Sequence, residues 1–305
     1  MSVPESKNGR AYAMLACVML FWAGNAIVGR LVRDDIPPAT LSLLRWSGAL
    51  ALLLPFAWAH LRTDRAALLA RWPRVVGLGL IGVASFNTLY YLGLHDTTAS
   101  NGLLLQALIP GGVLIMDRAM FGIRPARAAI LGVVVATLGV AVIVFRGDYH
   151  LLTSLALGRG DLIILIAVAL WALYTSLLKT KPVVHPFSFL AATFAVAVVA
   201  LTPVAALEFA SGARVHWTGT VVAAIAYVAI LPSLVAYLLF NQAVAMIGAG
   251  AAGQAINLMP LFGALMAAVL LGEALHGYHA VGMTMILIGL VVGLWGSRRA
   301  SGATP

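Results

Sequence analysis

Residues 99–112 read ASNGLLLQALIPGG, and 150 positions later residues 249–262 read AGAAGQAINLMPLF. Both stretches are apolar, both open on small residues, and both carry a proline at the same point, Pro110 and Pro260. Continued without a gap, the register sets Gly122 on Gly272, Gly132 on Gly282 and Gly139 on Gly289. Upstream, Trp22-Ala23 falls on Trp171-Ala172 at an offset of 149. Glycines in apolar helices match by chance fairly often. A tryptophan, a proline and three glycines in near-constant register instead point to a duplicated chain.

Composition says what was duplicated. The 305 residues are 62% hydrophobic and only 10% charged, and the mean hydropathy is +1.00. Soluble domains carry about a quarter charged residues, so a soluble enzyme is excluded. A spanning helix needs about 20 mostly apolar residues. Ten such stretches are present, at 11–30, 38–60, 74–94, 98–117, 127–146, 160–179, 187–208, 217–240, 245–271 and 277–296. Lys7 and Arg10 before the first of them imitate a signal peptide. The run from Ala11 to Val28 exceeds the usual apolar core of such a peptide, so an uncleaved first span is expected. The longest connection, around Arg146 to Asp161, divides the chain into 1–150 and 151–305.

With the N-terminus placed in the cytoplasm, the inner segments hold 13 Lys and Arg and the outer segments 5, with Arg45 inside a span. Such an excess marks the cytoplasmic side and supports ten spans with both ends inside. Five spans per copy is an odd number, so the second copy inserts upside down relative to the first. The expected fold is therefore all-α: a polytopic membrane protein of ten transmembrane helices, two inverted five-helix repeats around a central cavity. Secondary transporters are commonly built this way, with substrate bound near the midplane where the repeats meet.

The net charge of +9 is spread over the connections, leaving no continuous basic surface for a nucleic-acid backbone. The single cysteine, Cys17, makes no intrachain disulfide and no thiolate metal site. The seven histidines lie near span ends or in loops, which removes a Ser–His protease; His276 and His279 lack a clear third ligand. No enzyme activity, metal or cofactor is expected. A channel would show filter loops or rings of charge, and none is visible.

Several stretches resemble the drug/metabolite transporter superfamily in its ten-span, two-repeat EamA-type branch. They are Phe21-Trp22-Ala23-Gly24-Asn25, Arg45-Trp46, Thr98-Ala99-Ser100 leading to Pro110, and Leu271-Gly272-Glu273 followed by Gly282 and Gly289. The likeness covers essentially the whole chain and is nearest to aromatic amino-acid and metabolite exporters of bacterial inner membranes. One departure stands out: the first copy has Gly122-Ile123 where the second has Gly272-Glu273. The resemblance implies a basket of helices whose spans 1, 3, 4, 6, 8 and 9 line a cavity, with spans 5 and 10 peripheral. It also implies a multi-pass protein of the bacterial inner membrane.

Polar residues inside spans are the pointers to function. All ten acids fall at helix ends or in loops, and position 24–25 of span 1 is Gly-Asn. No buried carboxylate relay for protons is expected. Two readings of Arg45 stand: its side chain snorkels or bonds backbone carbonyls, or it meets a substrate carboxylate. Trp22 and Asn25 share one helix face, three residues apart, and Trp171 and Tyr174 repeat the spacing. Phe86 and Tyr90 in span 3, with Asn87 and Tyr91 beside them, have Ala236, Phe240, Tyr237 and Asn241 as their equivalents in span 8, and Gln106, Gln254 and Asn257 add amides to spans 4 and 9. Unpaired amides are costly in lipid, so these residues are expected to face inward as a substrate site. Neutral polar groups with aromatic walls suit a small zwitterion with an apolar or aromatic side chain. Against that reading, amides also serve as interhelical glue, Tyr90 and Tyr91 could belong to an interfacial belt, and the tryptophans could be packing. Pro110 with Gly111, and Pro260, are candidate gating hinges or static kinks. Gly289 and Gly293 suit either a dimer face or packing within a monomer. The partners expected are a small-molecule substrate and the lipid bilayer. The functional expectation is alternating-access transport of amino acids, with a multidrug or other metabolite carrier of the same fold as the alternative.

Overall fold

The computed structural model describes residues 5–148, 158–271 and 276–301. The predicted division between 150 and 151, and the Gly272-Glu273 pair, lie outside them. Ten helical spans follow one another: α1 (Glu5–Leu31), α2 (Pro38–Ala70), α3 (Trp72–Asp96), α4 (Ala99–Gln106 and Ile109–Phe121) and α5 (Arg127–Val144). The second set is α6 (Arg159–Leu177), α7 (Pro186–Ala210), α8 (Gly219–Ile247), α9 (Ala249–Gln254, Ala255–Leu258 and Met259–Leu271) and α10 (Gly277–Ser301). Among the described residues, nine spans are long and apolar enough to cross a membrane; α10 contributes a shorter apolar stretch, Gly277–Gly293.

Two boundaries differ from the sequence reading. Helix α2 continues ten residues past position 60, through Arg62, Asp64 and Arg65. Charges end a lipid-facing stretch but leave a helix in water intact, so apolar length alone undercounts it. Helix α8 runs to Ile247 and stops at Gly248, whose φ of 85° is open to glycine and strained for other residues.

The duplication is visible in the irregularities. Helix α3 contains a π turn at Gly79–Ser85, and α8 contains one at Ile230–Val235. Helix α4 breaks at Ala107-Leu108, and α9 narrows to a 3-10 turn over Ala255–Leu258. Pro110 and Pro260 stand in the first turn of the piece that restarts after each break. A missing N–H costs nothing there, so the prolines occupy breaks in the helix and do not kink a continuous one.

Packing follows the same symmetry. On α2 the buried positions Arg45, Trp46, Ala49, Leu53 and Ala57 match Thr193, Phe194, Ala197, Leu201 and Ala205 on α7, at an offset of 148. Trp46 meets Phe194 at 4.9 Å where the two helices cross. Helices α5 and α10 touch backbone to backbone. A Cβ on Gly139 would lie 2.7 Å from the Gly282 carbonyl, and one on Gly132 would run into Gly289 O. Gly289 therefore faces α5, and Gly293 packs against Gln254 of α9, so this small-residue stripe is used inside the chain. Acids at helix ends tie the spans together. Glu208 at the end of α7 accepts from the amides of Ala39 and Thr40, both at 2.8 Å, at the start of α2. Asp161 accepts from Thr97 at 2.6 Å. Asp117, buried near the end of α4, pairs with Lys179 at 2.5 Å and accepts from Ser176.

Candidate functional site

Six spans meet around one enclosed space. Its walls are Trp22 and Asn25 of α1, Phe86, Asn87 and Tyr90 of α3, Gln106 and Ile109 of α4, Trp171 of α6, Tyr237 of α8, and Ile256 and Met259 of α9. The free volume is about 20 Å³ for a water-sized guest. One water needs about 10–15 Å³ by that measure, so the space is closed to anything larger.

Aromatic rings close it. The repeat-related tryptophans, Trp22 and Trp171, meet edge to face at 5.1 Å. Trp171 also packs on Phe86 at 4.7 Å and on Tyr237 at 5.6 Å, and Trp22 on Phe240 at 5.2 Å. Edge-to-face ring pairs contribute about 0.5–1.5 kcal/mol beyond area burial, so this cluster ties α1, α3, α6 and α8 together around the space.

The two π turns present carbonyls to the site. Such a turn widens the helix and frees backbone groups, and Pro232 has no N–H to give back. Pro232 O accepts from the Trp22 indole at 3.0 Å, and Ser233 donates to Val228 O at 2.6 Å. In α3, 150 positions earlier, Gly82 O accepts from the Tyr237 hydroxyl at 2.7 Å. Gly82 is held to hydrogen at this approach: a Cβ there would run into the Tyr174 ring.

One layer behind the cavity lies Arg45, 1% exposed. Its Nη1 donates to Asn25 Oδ1 and Asn87 Oδ1, both at 2.9 Å, and to the Tyr91 hydroxyl at 2.8 Å. Nε donates to Ser233 Oγ, and Nη2 to Pro232 O at 3.2 Å. The guanidinium also lies 4.8 Å from the Trp46 ring centre. Tyr91 in turn donates to Asn25 Oδ1 at 2.6 Å. Among the described residues, no carboxylate pairs with Arg45. Snorkelling is thus overturned, because side chains from α1, α3 and α8 draw the cation inward, while the expected bond to a backbone carbonyl is present at Pro232.

A guanidinium only donates, so Asn25 and Asn87 must turn their carbonyl oxygens toward it. What these amides have left for a guest is N–H. Asn87 Nδ2 donates to the Tyr237 hydroxyl at 3.2 Å. Two further polar atoms of the wall, Tyr90 OH and Gln106 Nε2, are buried with no partner but each other.

Of the residues expected to form the site, Trp22, Asn25, Phe86, Tyr90, Gln106, Trp171 and Tyr237 line the space. Tyr174 and Asn241 stand behind it, bonded to each other at 3.2 Å. Gln254 and Asn257 are buried with both amide atoms unpartnered, but they are not in the wall; Ile256 and Met259 take their place. Tyr90 and Tyr91 are 2% and 3% exposed, so neither is a belt residue. Asn87, expected to face inward beside Phe86 but not counted as a binding residue, lines the space, and sequence reasoning missed Ser233.

This architecture agrees with what the whole chain matches. The profile of the EamA-like transporter family fits residues 9–145 and 158–295, one match per repeat. The chain belongs to the EamA-like transporter family. This EamA-like transporter is 25% identical over 287 residues to an uncharacterized transporter of Bacillus subtilis, YyaM, covering 93% of each chain. It is 28% identical over 286 residues to an uncharacterized transporter of Archaeoglobus fulgidus, covering 93% of this chain and 96% of that one. A probable terminal-alkyne amino-acid exporter of Streptantibioticus cattleyicolor is 26% identical over 308 residues, with 94% of each covered. A protein of known crystal structure, 19% identical, shares the fold with a TM-score of 0.72, covering 95% of this chain and 98% of the other. The protein is accordingly a multi-pass membrane transporter.

Proposed function

We propose that the protein exports small amino acids, aromatic ones included, across the bacterial inner membrane by alternating access. The observation that carries this reading is the closed space where the repeats meet. It has rings on one side, amide donors on the other, and a buried cation behind the donors. Such a chamber suits a small molecule with a flat or branched apolar side chain and an acceptor-rich head. The similarity to a probable amino-acid exporter supports the same class. The excess of Lys and Arg on one side supports cytoplasmic ends.

The small free volume implies that the ring cluster parts to admit substrate, one repeat moving against the other. Asp117 and Lys179 bridge α4 and the end of α6, so they join the two repeats at one end of the bundle. No titrating acid stands in the wall of the space, so downhill exchange or export driven by the substrate gradient fits the site without a carboxylate relay.

Counterflow of labelled phenylalanine into proteoliposomes, competed by a panel of amino acids, tests the reading. Saturable counterflow is expected, with Trp22→Ala and Trp171→Ala each lowering it at least about tenfold, the loss of about 1.4 kcal/mol of binding or barrier. Asn257→Ala, outside the wall, is expected to leave more than half. Absence of counterflow with every amino acid tested would remove the assignment.

A further inference from the structure

The wall of the closed space is electrically lopsided. Two of its three amide oxygens, Asn25 Oδ1 and Asn87 Oδ1, are held by Arg45, which donates to each at 2.9 Å. Two more polar groups, Gln106 Nε2 and Tyr90 OH, are buried in the same wall with no partner but each other. Gln106 Nε2 can only donate. No Asp or Glu lines the space, and among the described residues no carboxylate pairs with Arg45. The rest of the wall is Tyr237, whose hydroxyl is taken up by Asn87 and Gly82 O, and the apolar or aromatic Trp22, Phe86, Ile109, Trp171, Ile256 and Met259.

The two charged ends of an amino acid meet unequal partners here. A carboxylate finds N–H donors whose dipoles Arg45 has aligned, with the positive charge itself one amide behind. It also offers Gln106 Nε2 a charged acceptor in place of the neutral Tyr90 hydroxyl. An ammonium finds no charged acceptor, only the neutral oxygens of Tyr90 and Gln106 and the ring faces that already form the pocket for the side chain. From this we infer that the site recognises the carboxylate and not the amine: it takes small aromatic or branched monocarboxylates, with the α-ammonium dispensable. Arg45 is a positioning residue in this scheme, acting through Asn25 and Asn87. The inference rests on the transport reading above and narrows its substrate class.

The test is inhibition of phenylalanine counterflow by three analogues at neutral pH: 3-phenylpropanoate, which lacks the amine; 3-phenylpropanamide, which lacks amine and charge; and 2-phenylethylamine, which lacks the carboxylate. The expected result is that 3-phenylpropanoate inhibits within tenfold of unlabelled phenylalanine, and that the amide and the amine are each at least tenfold weaker than 3-phenylpropanoate. An amine or amide within tenfold of 3-phenylpropanoate, or a 3-phenylpropanoate more than tenfold weaker than phenylalanine, overturns the inference. The same four compounds are also titrated against the intrinsic fluorescence of the purified protein, since Trp22 and Trp171 line the space. Binding in that order answers the carboxylate question even where phenylalanine is not carried, and that second failure counts against the transport reading alone.

Arg45→Gln is expected to reduce the advantage of 3-phenylpropanoate over its amide to under threefold, and Arg45→Lys to restore part of it. Because loss of Arg45 also removes interhelical bonds, Asn87→Asp serves as a second variant. It keeps the cation but neutralises it, and the same collapse of preference is expected. Wild-type discrimination in both neutralised variants would overturn the role given to Arg45.

Discussion

Position 45 of α2 and position 193 of α7 are equivalent in the duplicated scaffold, and they could hardly be treated more differently. Arg45 reaches out of its helix to α1, α3 and α8. Thr193 reaches nowhere: its hydroxyl donates to the carbonyls of Phe189 and Leu190 in its own helix, at 3.0 and 3.1 Å. Around them the partners are exchanged as well. Asn25, Asn87 and Tyr91 in the first repeat correspond to Tyr174, Tyr237 and Asn241 in the second, at offsets of 149 and 150. The tyrosine–asparagine bond survives the exchange with its members swapped, Tyr91 to Asn25 at 2.6 Å and Tyr174 to Asn241 at 3.2 Å. The backbone symmetry sets the two repeats face to face around one space. The broken side-chain symmetry gives the space between them a polar, cationic side and an aromatic side.

Forcing symmetry on this pair should have the largest effect. Thr193→Arg places a second guanidinium among partners that are not arranged to accept from it. An uncompensated buried ion costs several kcal/mol, so no monodisperse protein is expected on size-exclusion chromatography. Next is Arg45→Met. Hydrogen bonds to a charged group contribute about 1.5–3 kcal/mol each, and several are lost at once. Counterflow should fall at least about tenfold and the thermal midpoint in detergent should drop, a net loss on the order of 3 kcal/mol by the same reasoning.

Smaller effects sharpen the comparison. Tyr91→Phe removes two bonds, one of them from the cation, and is expected to cost about 2 kcal/mol. Tyr174→Phe removes a single longer, neutral bond and should cost about 0.5–1 kcal/mol. Equal shifts in the two melting curves would mean that Arg45 adds nothing to its cage. Thr193→Val, which disturbs no neighbouring helix, should stay within about 0.5 kcal/mol of wild type and keep full counterflow.

Ten spans, the duplication and the inward-facing tryptophans were legible in the sequence because each rests on a local signal: apolar run length, register, or spacing on one face. Arg45 was not, because counting residues along α2 gives its depth but not its direction. That direction is set by Asn25, Asn87, Tyr91 and Ser233, which only the fold gathers. Gln254 and Asn257 illustrate a different gap. Their inward placement assumed an α-helical face, whereas Ala255–Leu258 is a 3-10 turn. With about 3.0 residues per turn in place of 3.6, the face rotates within a few positions and brings Ile256 and Met259 to the wall. The π turns of α3 and α8 carry no sequence signal beyond Pro232, yet they supply the carbonyls that anchor Tyr237 and Trp22.

The central claim is that the space between the repeats is the substrate site and that its Arg45 side reads the head of the molecule. An experimental structure with an aromatic monocarboxylate bound tests it most directly. The account predicts the carboxylate within hydrogen-bonding distance of the Asn25 or Asn87 amide nitrogen and the ring between Trp22 and Trp171. A ligand lodged elsewhere, or one seated there with its carboxylate turned toward Ile256 and Met259, would contradict it.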